Sequence, residues 1–170
     1  ISDYAWQVLQ GDDVLRPVEP AISPAWPATD GQSLVDEYGE PGTNQVRASA
    51  PYPLRIAWDT GQFIRSFQCH EAIKGPAEGA MNEVLQAYGA ERVNDLGLDL
   101  FGGCFNHRKV RGGKRLSTHS WGIAIDWDPA NNPLRANHTT ARFAADQYAD
   151  WLDIWAAYGF MNMGRAKDFD

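Results

Sequence analysis

Two side chains in the second half of the chain, His119 and Asp126, could together bind a divalent metal ion. An imidazole nitrogen and a carboxylate oxygen are both ordinary zinc ligands, and a catalytic zinc site uses three protein ligands and leaves a fourth position to water. A strand over residues 121–127 would bury its aromatic and branched side chains on one face. Asp126 would then lie on the other face beside the small residues Gly122 and Ala124, which leave space for an ion. Taken alone, a His and an Asp placed in this way are more often a hydrogen-bonded structural pair.

A longer pattern surrounds this pair, in the string Ser117-Thr-His119-Ser-Trp-Gly122-Ile-Ala124-Ile-Asp126. It resembles the S-x-H-x-x-G-x-A-x-D signature of the M15 peptidases, which include zinc D-alanyl-D-alanine carboxypeptidases, L-alanyl-D-glutamate endopeptidases and phage endolysins. The resemblance extends more loosely from about Leu54 to the C-terminus. It implies a Zn²⁺ cofactor held by His119 and Asp126, a fold like that of hedgehog and DD-peptidase domains, and a peptidoglycan stem peptide as the substrate.

The same resemblance implies an arginine upstream of the signature that contacts the substrate and steadies the oxyanion. The corresponding stretch reads Cys104-Phe-Asn-His107-Arg108, so Arg108 is assigned to catalysis and substrate binding. Its planar fork suits a carboxylate or a developing oxyanion. The stretch departs from the usual S-G-Y-R, which keeps Arg111 and Arg115 as alternatives. Ser117 is assigned to substrate binding or to bracing the loop, since no His lies at a spacing that indicates a nucleophilic triad.

The family's third metal ligand is a His near the C-terminus, with a catalytic Glu or Asp three residues before it. Here only His138 follows Asp126, and it lies in a polar loop, so it is not assigned as a ligand. The ending Gly164-Arg-Ala-Lys-Asp168-Phe-Asp170 resembles the approach to the family's closing motif. The resemblance therefore implies that Asp170 is the catalytic carboxylate, with Asp168 as the alternative, and that the natural chain continues to a His three residues further on.

The net charge and the hydropathy of the chain limit the classes of partner that we expect. The formal net charge is -7, and the cations cluster only in a short stretch, residues 108–115, so a nucleic-acid partner is not expected. That stretch could hold negative charge on a ligand, or it is a solvated loop. No run of apolar residues is long enough to span a membrane. We expect a monomer that acts in the periplasm or outside the cell, or a phage-encoded protein that acts on the cell wall.

Cys69 and Cys104 allow at most one disulfide and are too few for a thiolate zinc site. A bridge needs Cα atoms within about 7 Å, which spacing along the chain does not determine. Asp128 precedes Pro129, so we interpret it as a turn acid rather than a third ligand.

The elements predicted to carry these residues form a single α+β domain, with helices flanking a small antiparallel sheet. Residues 1–50 are proline-rich and are predicted to be an arm or linker with one short helix ending at Gly39, whereas residues 51–170 form the peptidase-like domain. Apolar spacing predicts a helix from Phe63 to Gly75-Pro76 and a second helix closed by Gly89.

Further along the chain, Gly102-Gly103 punctuates one or two strands between Leu98 and Val110, and residues 121–127 form another. A helix is predicted from Asp146 to Tyr158 with Gly159 as its cap, followed by a short strand from Phe160 to Met163.

These observations predict a zinc metallopeptidase that hydrolyses peptidoglycan stem peptides containing D-amino acids, as a carboxypeptidase or an endopeptidase. Two alternatives remain. One is a non-catalytic cell-wall-binding or structural domain that keeps the fold without a complete metal site. The other is a zinc peptidase that acts on ordinary L-peptides.

Overall fold

The computed structural model describes residues 30–167 and the backbone of two short paired strands before them, β1 (Trp6–Gln7) and β2 (Arg16–Pro17). The remaining strands are β3 (Gln45–Ile56), β4 (Asp59–His70), β5 (Leu100–Gly103) and β6 (Asp126–Trp127). The α-helices are α1 (Gly31–Tyr38), α2 (Glu71–Asp95), α3 (Ala149–Ala157) and α4 (Met163–Lys167). Single 3₁₀ turns occur at Thr118–Ser120, Arg142–Ala144 and Asp146–Tyr148.

The larger sheet has the strand order β4-β3-β5-β6. The hairpin β3–β4 and the pair β5–β6 are antiparallel, as predicted, whereas β3 and β5 are parallel. Strands β3 and β5 are parallel because the connection between them, β4 followed by α2, is long enough to carry the chain back to the end of the sheet where β3 begins. The prediction of a single α+β domain is confirmed.

Strand β3 positions the core by simple alternation. Its residues Ala48, Ala50, Tyr52 and Leu54 are buried, and the residues between them face outward. Helix α2 packs on the buried side of this strand. Helix α3 adds Trp151 and Trp155 to the same core. One face of the hairpin is therefore covered by helices.

The helix predicted from Phe63 to Gly75-Pro76 is wrong. Residues Asp59–His70 form β4, and α2 begins only at Glu71, with Gly75 and Pro76 inside it. The apolar spacing of this short segment fits a helix, but it pairs with β3 as a strand, and pairing with a distant segment overrides local spacing. The second predicted helix is confirmed within α2. Gly89 has φ 72 and ψ 158, which are not helical, and it separates two helical segments within α2, so the predicted closure at this residue is confirmed as well.

Two predicted strands also differ from the structure. Of residues 121–127 only Asp126–Trp127 form a strand, because Gly122 has φ 71 and turns the chain directly after the 3₁₀ turn. The strand predicted from Phe160 to Met163 is absent, and Met163–Lys167 is helical. By contrast β5 lies inside the predicted Leu98 to Val110 strand region.

The helix predicted from Asp146 to Tyr158 is confirmed as the 3₁₀ turn Asp146–Tyr148 continued by α3, and Gly159 follows with φ 86. The short helix of the N-terminal arm is likewise confirmed as α1, ending at Gly39 with φ 77. Strand β3 runs across residue 50, the predicted boundary between the N-terminal arm and the main domain. Among the described residues, no helix is both long enough and apolar enough to cross a bilayer.

Candidate metal centre

His119 lies in the 3₁₀ turn Thr118–Ser120 and is largely buried. Ser117 caps this turn, because its hydroxyl accepts a hydrogen bond from the backbone N–H of His119 at 3.4 Å. The turn ends at Gly122, whose backbone N–H donates to the carbonyl of His119. A side chain at Gly122 would place its Cβ 2.6 Å from Oε1 of Gln45 and 2.9 Å from the backbone N of His70. The close approach and the left-handed backbone together require the glycine of the signature.

Hydrogen bonding fixes which nitrogen of His119 faces the site. Nδ1 lies 2.6 Å from the carbonyl oxygen of Cys104. Because a carbonyl only accepts, Nδ1 must carry the hydrogen, and in the neutral ring Nε2 is then the nitrogen with a free lone pair. A backbone carbonyl that orients a histidine in this way is typical of metal-binding histidines.

The free nitrogen of His119 points at Asp126. Nε2 lies 3.3 Å from Oδ1 of Asp126, whose side chain is 48% exposed, compared with 10% for His119. Asp126 pairs with Gly103 at the end of β5, and the neighbouring Gly102 has no room for a side chain, because a Cβ there would lie 3.0 Å from that of Asp126. Close packing against Gly102 therefore positions Asp126, while its carboxylate remains open to solvent.

The separation of His119 Nε2 and Asp126 Oδ1 is longer than that of a typical charge-assisted hydrogen bond. Charge-assisted N–H···O contacts are commonly about 2.7–2.9 Å long. Two ligands that each lie about 2.0–2.1 Å from a tetrahedral zinc ion are about 3.3–3.4 Å apart, which is the separation of Nε2 and Oδ1. Within residues 30–167, no group of three or more His, Cys, Asp or Glu side chains is arranged to hold a metal. Within the described residues, His119 and Asp126 are therefore two candidate ligands.

Ser120 attaches the loop that carries Arg108 to this centre, a role that the sequence analysis did not assign. The Ser120 hydroxyl is fully buried, accepts from the backbone N–H of Arg108 at 3.1 Å and donates to its carbonyl at 2.9 Å. The backbone N–H of Ser117 donates to the same carbonyl. The backbone of Arg108 is therefore anchored next to the histidine turn. Its guanidinium contacts the carbonyl of Lys109 at 3.4 Å.

The remaining cations of this stretch lie on a hairpin-like loop. Lys109 forms an isolated antiparallel bridge with Leu116, and the exposed residues Arg111, Lys114 and Arg115 lie between them. The loop begins and ends beside the centre, because Arg108 and Ser117 are joined by the backbone hydrogen bond described above. We call residues 108–117 the cationic loop.

Helix α1 braces the other side of the histidine turn. Trp121 packs against Leu34 and Tyr38 of α1, and its indole N–H donates to the carbonyl of Gly39 at 2.8 Å. His70 adds a second link: its Nδ1 accepts from the backbone of Ala72, so its Nε2–H donates to the carbonyl of Tyr38. The arm helix is thus part of the site's support. No local pattern indicates these contacts, because they join segments far apart in the chain.

The other candidates have structural or peripheral positions. Asp128 is buried and receives hydrogen bonds from Asn131 and Arg142, in agreement with its interpretation as a turn acid. His107 and His138 are exposed. Cys69 and Cys104 are both buried and reduced. Burial raises the pKa of the Cys104 thiol, assisted by Cys69 and Asp126, so the thiol stays protonated at neutral pH. Asp168 and Asp170 lie outside the described residues.

The fold and the site together define an α+β domain in which a histidine nitrogen and a carboxylate oxygen face each other at 3.3 Å. Residues 111–167 match the family model of D-alanyl-D-alanine carboxypeptidase, which belongs to the M15 peptidases. The match contains His119 and Asp126, covers about a third of the chain and begins after Arg108. It confirms the resemblance seen in the signature and supports an M15 family peptidase. No curated protein matches the chain. No solved structure matches it either.

Proposed function

We propose that this protein is a zinc metallopeptidase that hydrolyses D-amino-acid-containing stem peptides of peptidoglycan, in the periplasm or outside the cell. The family match supports the coarser statement, a peptidase that acts on peptidoglycan. The observation that carries the zinc assignment is the pair His119 Nε2 and Asp126 Oδ1, two acceptors that face each other at 3.3 Å. Such a pair is stabilised when a cation lies between the two atoms.

The chain's residues divide the work of amide hydrolysis. His119 and Asp126 would hold the metal, and the Cys104 carbonyl keeps the imidazole in the tautomer that could bind it. When bound, zinc supplies a Lewis acid for the scissile carbonyl and lowers the pKa of water towards about 7. Asp170 is proposed to take the proton of the attacking water and to pass it to the leaving amine. Arg108 is proposed to hold the negative charge that develops on the substrate oxygen.

The cationic loop is proposed to contribute to substrate recognition. The net charge of -7 gives no general attraction towards an anionic wall, so attraction must be local. Four exposed cations beside the centre, Lys109, Arg111, Lys114 and Arg115, provide that local positive potential. Carboxylates of the stem peptide are the groups that such a loop suits.

The test compares His119→Ala with His107→Ala, which removes an exposed histidine from the adjoining loop. The natural full-length protein, called the parent protein, and its His107→Ala variant should contain near-stoichiometric zinc by atomic absorption and should cleave muropeptides. The His119→Ala variant should lose both properties. Circular dichroism of each variant controls for folding.

Three results would contradict the proposal. Zinc content and muropeptide cleavage unchanged in His119→Ala would remove the site. Absence of zinc and of cleavage in the parent protein would favour the alternative of a wall-binding domain. Cleavage of casein but not of muropeptides, tested side by side, would favour a peptidase for ordinary L-peptides.

A further inference from the structure

The turn between β3 and β4 exposes aromatic side chains that no part of the proposed mechanism uses. Trp58 is 72% exposed and Phe63 is 58% exposed, and every residue from 58 to 63 is open to solvent. Most aromatic side chains of the described residues are buried or half-buried in the core, as expected for their large apolar area. Exposed aromatic groups that cluster on one turn indicate an interaction surface. We call residues 57–63 the hairpin tip.

The hairpin tip is held in place by its backbone. The two-residue turn is closed by the pairing of Ile56 with Asp59. The backbone N–H of Ala57 donates to the carbonyl of Phe101 at 3.0 Å, which attaches the tip to β5. A side chain on an anchored turn binds a partner at a lower entropic cost than one on a free loop.

The side chains of the tip fit a neutral sugar ring. Within four residues of Trp58 along the chain, Asp59, Thr60 and Gln62 provide carboxylate, hydroxyl and amide groups, and Gln62 donates to Asp59 at 2.6 Å. A pyranose has an apolar C–H face, which packs on an indole, and a rim of hydroxyls, which pair with such groups. The tip has no Lys or Arg, which argues against a phosphate polymer. Polar groups separate the two aromatic side chains, so the tip lacks the continuous apolar area of a protein–protein interface.

The tip and the metal centre belong to the same sheet. Strand β3 pairs in parallel with β5 through Arg55 with Leu100 and Ile56 with Phe101. Gly103 of β5 pairs in turn with Asp126 of β6. The sheet therefore connects the anchored tip to the strand that carries Asp126.

We propose that the hairpin tip is a glycan subsite, in which Trp58 packs against an N-acetylated amino sugar of the wall polymer while the attached stem peptide reaches His119 and Asp126. This inference rests on the proposed function for its biological setting. Binding of the sugar, however, needs neither the metal nor cleavage. The two proposals can therefore fail separately.

The binding test uses the full chain carrying His119→Ala and a soluble tetramer of β-1,4-linked N-acetylglucosamine as the probe. The indole N–H signal of Trp58 in a two-dimensional NMR spectrum, assigned by its loss in Trp58→Phe, should shift on titration. Trp58→Ala should weaken binding at least about tenfold and Trp58→Phe less, because a smaller ring remains. Leu134→Ala, which removes another exposed apolar side chain, should leave binding unchanged. An unchanged Trp58 signal at saturating tetramer, or equal binding by Trp58→Ala, would overturn the subsite.

A kinetic test separates the subsite from the peptidase activity. In the otherwise unaltered protein, Trp58→Ala should lower kcat/KM on intact wall fragments about tenfold and leave kcat/KM on the free stem peptide unchanged. Equal loss on both substrates, or no loss on either, would contradict the subsite. If the parent protein cleaves neither substrate, the proposed function fails, and the NMR titration still decides the glycan subsite.

Discussion

Asp126 and Asp128 lie two residues apart, yet their surroundings differ completely. Asp128 is 3% exposed and accepts from Asn131 through both oxygens and from Arg142 at 2.8 Å. Asp126 is half-exposed and faces a nitrogen of His119 that has no hydrogen to give in the neutral ring. One carboxylate is satisfied within the protein, whereas the other, among the described residues, faces only the ring nitrogen of His119. An aspartate has a structural role when hydrogen bonds within the fold already occupy its carboxylate oxygens. It is available for chemistry when an oxygen is left open.

The largest effect should follow from removing the charge of the open carboxylate. Asp126→Asn should lower peptidase activity by more than about 100-fold and weaken zinc binding, because an amide is a poorer ligand. The free energy of unfolding, measured in urea, should change by no more than about 0.5 kcal/mol, since the side chain is solvated. A large loss of stability with activity retained would reverse the roles assigned to the two acids.

The closed carboxylate should show the opposite result. Asp128→Ala should lower the free energy of unfolding by about 3 kcal/mol, because it leaves Arg142 without its buried partner. Zinc content per folded molecule should be kept. Asp153→Ala is the matched control, since Asp153 pairs with Arg165 at the surface, where both side chains are nearly half exposed, and its loss should cost at most about 1 kcal/mol. Equal stability of the two variants would refute the contrast.

The smallest expected effect concerns the buried thiol of Cys104, the residue whose carbonyl accepts a hydrogen bond from His119. Cys104 lies behind His119, and burial raises the pKa of its thiol above the ordinary value of 9.0. Neither thiol should react with a disulfide reagent at pH 8 in the native protein, and both should react after unfolding. A group whose pKa is raised on folding stabilises the protein fully below its unfolded pKa, and this contribution is lost as the pH rises towards the folded pKa. Stability should therefore decline from about pH 9 upward.

A fast reaction of Cys104 in the native protein at pH 8 would contradict this assignment. It would mean that water reaches both sides of the imidazole. Cys104→Ser is a suitable comparison, because it keeps the backbone carbonyl that accepts from His119 and changes only the side chain. It should bind zinc with the same stoichiometry as the parent protein.

Local sequence identified the parts of the site whose requirements are local. In the structure, His119 lies in a 3₁₀ turn, Gly122 has a left-handed backbone and Asp126 begins β6. The apolar stripes of α1 and α3 were sufficient to predict those helices, since each buries one face at helical spacing.

Tertiary structure decided everything that depends on a distant partner. Residues 59–70 are a strand because β3 pairs with them, although their own spacing fits a helix. The tautomer of His119 depends on the Cys104 carbonyl, and the brace from α1 depends on Trp121 meeting Gly39. Side-chain type and spacing specify what chemistry a residue is capable of. Whether its atoms remain free for that chemistry is determined by contacts between segments that the sequence keeps far apart.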